Sequence, residues 1–227
     1  MGSRWIPLTL LSLGAIGLLA ALVSISVGEN TVEEYRLEET GEVQQLIAGI
    51  RQLDDRLGPE DAPVMIELFT DVQIPSGAEY QAAVIDPLIE EYVRTGEANI
   101  ILRHFPLGPK PVTLGAIGAE AAGFQDRQWQ FAEILMRNLE LAPERGFEDT
   151  QFLNEVAAVV PKLDVGLWEE DFAAGEAEAK ASEDEQIAAE NTFPAGPVVI
   201  VSGANGSEVL EEGPTLAEIE ATIAAVS

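Results

Sequence analysis

The sequence contains no cysteine. Disulfide formation, thiol–disulfide exchange and lipidation on sulfur are therefore closed to it. Histidine is nearly absent as well: His104 stands alone, and the scattered carboxylates around it lack the ligand spacing of a zinc site or an EF-hand. A glycine-rich phosphate loop is also missing. No cofactor or metal is expected. Positive charge is the third scarcity. Twelve basic residues face forty acidic ones, for a formal net charge of −28, and only three of the twelve are lysines, Lys110, Lys162 and Lys180. Nucleic acid and anionic lipid surfaces, which need clustered Lys and Arg, are excluded as partners. A basic protein remains admissible, steered by the acidic field; solubility or adaptation to high salt accounts for the same charge.

What the chain does have is one long uncharged run. Residues 1–4 form a short N-terminus with Arg4, and residues 5–27, WIPLTLLSLGAIGLLAALVSISV, are long enough for a transmembrane helix. Arg4 precedes the run and Glu29, Glu33 and Glu34 follow it, so the positive-inside rule leaves the N-terminus in the cytoplasm and the rest extracytoplasmic, periplasmic or extracellular, on a single-pass anchor. Ser24-Ile25-Ser26 would also serve as a signal-peptide cleavage site, but a typical apolar signal core spans only ~7–15 residues, which favours retention. Gly17-xxx-Ala21 and Ala20-xxx-Ser24 offer small residues on which a second membrane helix could pack.

Residues 28–56 read as an acidic connector carrying a helix, with Val43, Leu46, Ile47, Ile50 and Leu53 at helical spacing; such a stripe faces its own core more often than a partner. The remainder, 57–227, is one domain with apolar residues enough for a core. An apolar run from Val64 to Phe69, a loop from Asp71 to Ser76, a helical pattern and a second run from Ala98 to Leu102 make a βαβ unit, hence a parallel pair with the loop at its carboxyl edge. Helical patterns follow at 113–124, 128–139 and 150–160, then one from about Val165 through Asn191. Val198–Val201 is a third strand, Ser202–Gly206 a hairpin turn into Glu208–Leu210, and Thr215 with Glu218 a capping box opening the last helix. Asn205-Gly-Ser207 also matches a glycosylation acceptor, although Asn-Gly is ordinary hairpin chemistry.

The segments GPEDAPV, ELFTDVQIP, LIEEYVRTG and ILRHFPL together resemble the opening unit of the DsbA-type disulfide oxidoreductases. The resemblance implies an α/β, thioredoxin-like fold with a helical insertion, here about 108–190, between the second and third strands. That family carries Cys-Pro-x-Cys where this chain reads Ile74-Pro75-Ser76-Gly77, so both sulfur positions are degenerate. The resemblance further implies that Gly196-Pro197, just before the third strand, is the family's cis-proline loop, beside a groove that pairs with extended peptide.

Three functions follow as expectations. The first is a redox-inactive accessory or structural subunit of a membrane protein complex, respiratory or photosynthetic, or a docking site for a basic soluble protein. The second is a chaperone-like binder of peptides or client proteins in the groove beside Pro197. The third is a non-redox enzyme using Ser76 and His104 with Asp71, all at one sheet edge; against it, no nucleophile elbow is present, and Ser76-Gly-Ala-Glu79 fits a helix capping box. Tyr80, Tyr92, Phe105, Phe124, Trp129, Phe131 and Phe152 fall in largely apolar segments and read as core, not as a stacking platform.

Overall fold

The computed structural model describes residues 36–106, 113–141 and 150–227. The apolar run at 5–27 and the Gly108–Pro111 segment lie outside the described residues. Among the described residues, no helix is long and apolar enough to cross a membrane.

The elements in order are α1 (Thr40–Ile47), β1 (Gln52–Leu53), β2 (Arg56–Leu57), β3 (Val64–Thr70), a long helix α2 from Pro75 to Val93, and β4 (Ala98–His104). Then come α3 (Leu114–Gly123), α4 (Gln128–Arg137), a 3-10 turn (Leu139–Leu141), α5 (Thr150–Val159), α6 (Val165–Ala173), α7 (Glu176–Glu190), β5 (Val198–Gly203), β6 (Gly206–Leu210) and α8 (Leu216–Val226). The sheet order is β1-β2-β4-β3-β5-β6, and only β3 and β4 are parallel.

Register explains the layering. Ile66 pairs with Ile100 and Val201, and Leu68 with Leu102 and Val199, so the centre of one sheet face is aliphatic and every one of these side chains is buried. The opposite face alternates: Glu67 lies beside Ile101, and Phe69 beside Arg103. There Arg103 bridges Glu67 at 3.3 Å, Asp55 at 2.9 Å and Asp184 of α7 at 3.2 Å, tying α7 onto the sheet. Within α2, Gln81–Ile85 and Ile89–Val93 are wider π turns on either side of Pro87. A proline inside a helix lacks an N–H and crowds the carbonyl four residues back, and widening the turn accommodates both defects.

Two expectations need correction. The helix expected from Val165 through Asn191 is two helices, because Gly175 takes φ +81 and ends one run while opening the next. The connector also contains more than a helix: after α1, residues 52–57 turn through Asp54 (φ +55) into a two-stranded ribbon that extends the sheet past β4. This ribbon is pinned by Trp129, whose indole N–H donates to Asp55 O at 2.8 Å and whose backbone N–H donates to Gln52 Oε1 at 2.7 Å. Val43, Leu46 and Ile47 of α1 are buried in the same core as the sheet, as the stripe's ordinary meaning predicts. Of the aromatics expected in the core, Trp129, Phe131 and Phe152 are buried, whereas Phe124 is 38% exposed at the end of α3.

Because α1 is part of the core, Ile47→Ala should destabilise the protein by about 2–5 kcal/mol in urea unfolding. A loss below about 0.5 kcal/mol, the scale of an ordinary surface substitution, would show that α1 is not part of the cooperative unit.

Candidate functional site

The carboxyl end of β3 leads into the loop that, by the resemblance, corresponds to the family's sulfur-bearing loop. Asp71 is buried and accepts the Gln73 N–H at 2.9 Å, and the Gln73 side-chain oxygen receives the Gly115 N–H at the start of α3. Ile74 is extended (φ −119, ψ 142), as a residue before proline prefers, and Pro75 opens α2 as its first residue. Ser76 therefore sits inside the helix, exposed, and does not cap it: the capping box read from Ser76 and Glu79 does not form, since Pro75 has already started the helix one residue earlier.

By the resemblance, Gly77 stands where the family has its second sulfur. Its amide donates to Ile74 O at 3.0 Å, and a Cβ built on it would lie 2.4 Å from the Asp71 carbonyl oxygen. That is well inside contact distance with rigid backbone, so the position admits no side chain unless the loop moves. The crevice below, between Thr70, Asp71, His104, Phe105 and Thr113, is too tight to admit even a water molecule. Small-molecule pockets run to roughly 300–1,000 Å³.

His104 is brought to this edge but not to Ser76. It is 2% exposed, and its Nε2 lies 3.1 Å from Glu120 Oε1 on α3. Gln128 donates to the same oxygen at 2.6 Å, and Lys180 of α7 meets the other Glu120 oxygen at 3.0 Å while also pairing with Asp54. The His104 backbone N–H donates to Asp184 at 3.0 Å. Burial pushes the Glu120 carboxyl up, yet the imidazole and the Lys180 ammonium outweigh it and hold the group below the usual carboxylate value. This is a structural knot of charge, and the Ser76–His104–Asp71 constellation does not assemble around it. The sequence signal for the knot was a lone Glu120 in the apolar run TLGAIGAEAAGF, a charge that only a buried partner could justify.

A second knot lies under α2. Glu133 of α4 is fully buried, receives the Gln81 amide from the first π turn, and lies 3.4 Å from Arg137, which also bridges Asp86 and Glu39. Three carboxylates thus share one guanidinium. Desolvation, with Asp86 adding to it, pushes Glu133 up to about 8 despite Arg137, and burial likewise raises Asp86.

The Gly196–Pro197 loop flanks the site from the β5 side. Its peptide bond is trans, and no cis peptide occurs among the described residues. This corrects the cis bond implied by the resemblance. The trans form is the ordinary preference of an X-Pro bond, by about 0.5–1 kcal/mol. Gly196 adopts φ +128, and Pro197 O accepts the Gly213 N–H at 2.8 Å. Tyr80 of α2 donates its hydroxyl to Pro214 O at 2.9 Å, tying α2 to the turn between β6 and α8, the turn whose Gly213 meets Pro197. Phe193 packs edge-on against Phe69, ring centroids 5.1 Å apart. Phe105 and Phe193 pack against the cluster of Phe69, Ala188 and Val198 and are half-buried, as is Ile74 in the loop after β3, while Pro75 is exposed.

Comparison with known proteins gives one consistent answer. The family model described as thioredoxin matches residues 53–224. Probable disulfide bond formation protein D from Bacillus cereus and its counterpart from Bacillus anthracis are each 30% identical over 149 residues, covering 65% of this chain and 69% of theirs. Among solved structures, Wolbachia pipientis alpha-DsbA1 superposes with a TM-score of 0.65 at 16% identity, covering 76% of this chain and 90% of that one. Oxidised BdbD from Bacillus subtilis gives 0.63 at 20% identity, covering 78% and 96%.

Two measurements test this geometry. Ile74→Cys should leave stability near wild type, whereas Gly77→Cys should cost about 1–3 kcal/mol through overpacking against Asp71; equal stabilities of the two variants would show that the loop is open at Gly77. The second uses pH. A carboxyl raised from 4.5 to about 8 on folding lets the native state hold a proton the unfolded chain has lost, so its stability is complete below 4.5 and falls as pH rises through about 8. Urea stability should therefore drop by a few kcal/mol between about pH 5 and pH 9, at about 1.4 kcal/mol for each pH unit displaced. Glu133→Gln should flatten that decline, and an unchanged pH profile in the variant would refute the assignment.

Proposed function

The chain belongs to the thioredoxin family, among its DsbA-like proteins, yet carries no cysteine, and we propose that it works by binding protein, as a membrane-anchored accessory subunit of a larger membrane assembly, with its domain on the extracytoplasmic side. The observation that carries this reading is the closed family site. Thiol–disulfide exchange needs one thiolate to attack and a second sulfur to resolve, and here neither sulfur exists while the second position has no room for a side chain. The crevice beside it is too small for a substrate, and the one histidine is committed to Glu120. What remains is a rigid, strongly acidic scaffold preceded by an apolar run long enough to anchor it.

The exposed Pro75 and half-buried Ile74, Phe105 and Phe193 favour a second reading, a chaperone-like surface for extended apolar peptide. The trans Gly196–Pro197 bond and the engagement of Pro197 O by Gly213 weigh against the family's usual mode of that contact.

Affinity purification of the full-length protein from gently solubilised native membranes, followed by intact-mass analysis, separates the two. The subunit reading expects a stoichiometric membrane complex with residues 5–27 still attached. Recovery as a free monomer would sink it, and recovery with variable unfolded clients, lost in Pro75→Ser, would install the peptide-binding reading in its place.

A further inference from the structure

On a chain of net charge −28, one pocket is lined without a single carboxylate. It is an opening of about 340 Å³ between the end of α1, the start of α4 and the turn joining α5 to α6, with Gln44, Arg127, Gln130 and Lys162 around a wall formed by the Ala48–Ile50 backbone. That volume falls in the range of small-ligand sites. None of its lining residues belongs to the loop at 71–80 or to the Gly196–Pro197 loop.

Two of the polar groups here, Arg127 and Gln130, are held in place with capacity to spare. Arg127 is fixed by two backbone acceptors, Nε to Pro161 O at 2.9 Å and Nη1 to Asp126 O at 2.5 Å, and its Nη2 group makes no hydrogen bond among the described residues. The Gln130 side-chain oxygen is taken by the Gln52 amide, which orients the Gln130 NH2 group as a donor. Lys162 is exposed, has no ion pair among the described residues, and sits at φ +66. A lysine in that left-handed region is uncommon, where glycine or asparagine would adopt it at less cost. A cation on a strained backbone, without an ion pair among the described residues, lines this pocket together with an anchored guanidinium and amide donors and with no acid in the lining, a constellation that recognises an anion. At physiological salt the surrounding negative field is screened beyond about 8 Å, so the local cations govern what can sit in the pocket.

We infer that this pocket binds a small soluble oxyanion, a phosphate or carboxylate group on a polar body, with Arg127 and Lys162 meeting the charge and the Gln44 and Gln130 amides contacting the body. The inference does not depend on the partner proposed above.

Calorimetric titration of the full-length protein in non-ionic detergent, with glycerol 3-phosphate and with succinate, tests it. At least one probe should bind saturably with Kd at or below about 1 mM. Lys162→Gly should weaken that binding about tenfold, the equivalent of roughly 1.4 kcal/mol, while leaving Tm unchanged or higher because glycine relieves the left-handed backbone. That opposite movement of affinity and stability is not expected of a structural lysine. The inference is overturned if neither probe saturates by about 10 mM, or if Lys162→Gly binds as the wild type does.

Discussion

The pairing of β3 with β4 is the constraint on which the rest depends. Its register, Ile66 with Ile100 and Leu68 with Leu102, stacks these four aliphatic side chains on one face, and a slip of one residue would set a strand's polar side chains, such as Glu67 or Arg103, towards that core. The same register brings Thr70 level with His104, so both strands end together and the loop after β3 emerges beside the end of β4. The loop with Ile74, Pro75, Ser76 and Gly77, the crevice above His104, and the approach of the Gly196–Pro197 loop along β5 all inherit their positions from that alignment.

Two buried knots of charge work within this frame. Around Glu120, acid and base are balanced by His104 and Lys180, and the carboxylate is held in its charged form. Around Glu133 acids outnumber bases, and the deficit is met by keeping a proton. Buried ion pairs are weak contributors to net stability, because desolvation offsets much of the Coulombic gain, but breaking one partner is costly. Their structural effect here is to fix orientation. Asp184 and Lys180 set α7 against β4 and α3, and Arg137 draws Glu39, ahead of α1, towards α2. The His104 end of the crevice is therefore backed by polar contacts as well as by packing.

Much of the fold was legible in the residues. The apolar Val64–Phe69 and Ala98–Leu102 runs, the capping box of Thr215 and Glu218, and the hairpin turn within Ser202–Gly206 are local signals, and local physics honours them. Misreadings came where a single residue's backbone state decides the outcome. Gly175 in the left-handed region splits one helical pattern into two, Pro75 starts α2 ahead of Ser76, and Asp54 turns the connector into a strand pair. Periodicity is blind to such choices, because the hydrophobic pattern on either side is unchanged by them. The carboxylate-free pocket was illegible for another reason: Gln44, Arg127 and Lys162 are far apart in the chain and share no motif.

By itself the amino-acid sequence determined what chemistry is absent. A chain with no thiol cannot exchange disulfides in any conformation, since the reaction requires an atom that is missing. It also determined membership of the family, because an apolar pattern with matching loops is a property of order along the chain. Only the tertiary structure decided whether the loop at Gly77 has room for a side chain, which carboxyl groups burial pushes towards the protonated form, and where positive charge gathers on an acidic protein. Those depend on distances between residues remote in sequence, and on how much water remains around them: the 2.4 Å between a Cβ at Gly77 and Asp71 O, or the full burial of Glu133, exists only once the sheet and its helices have packed.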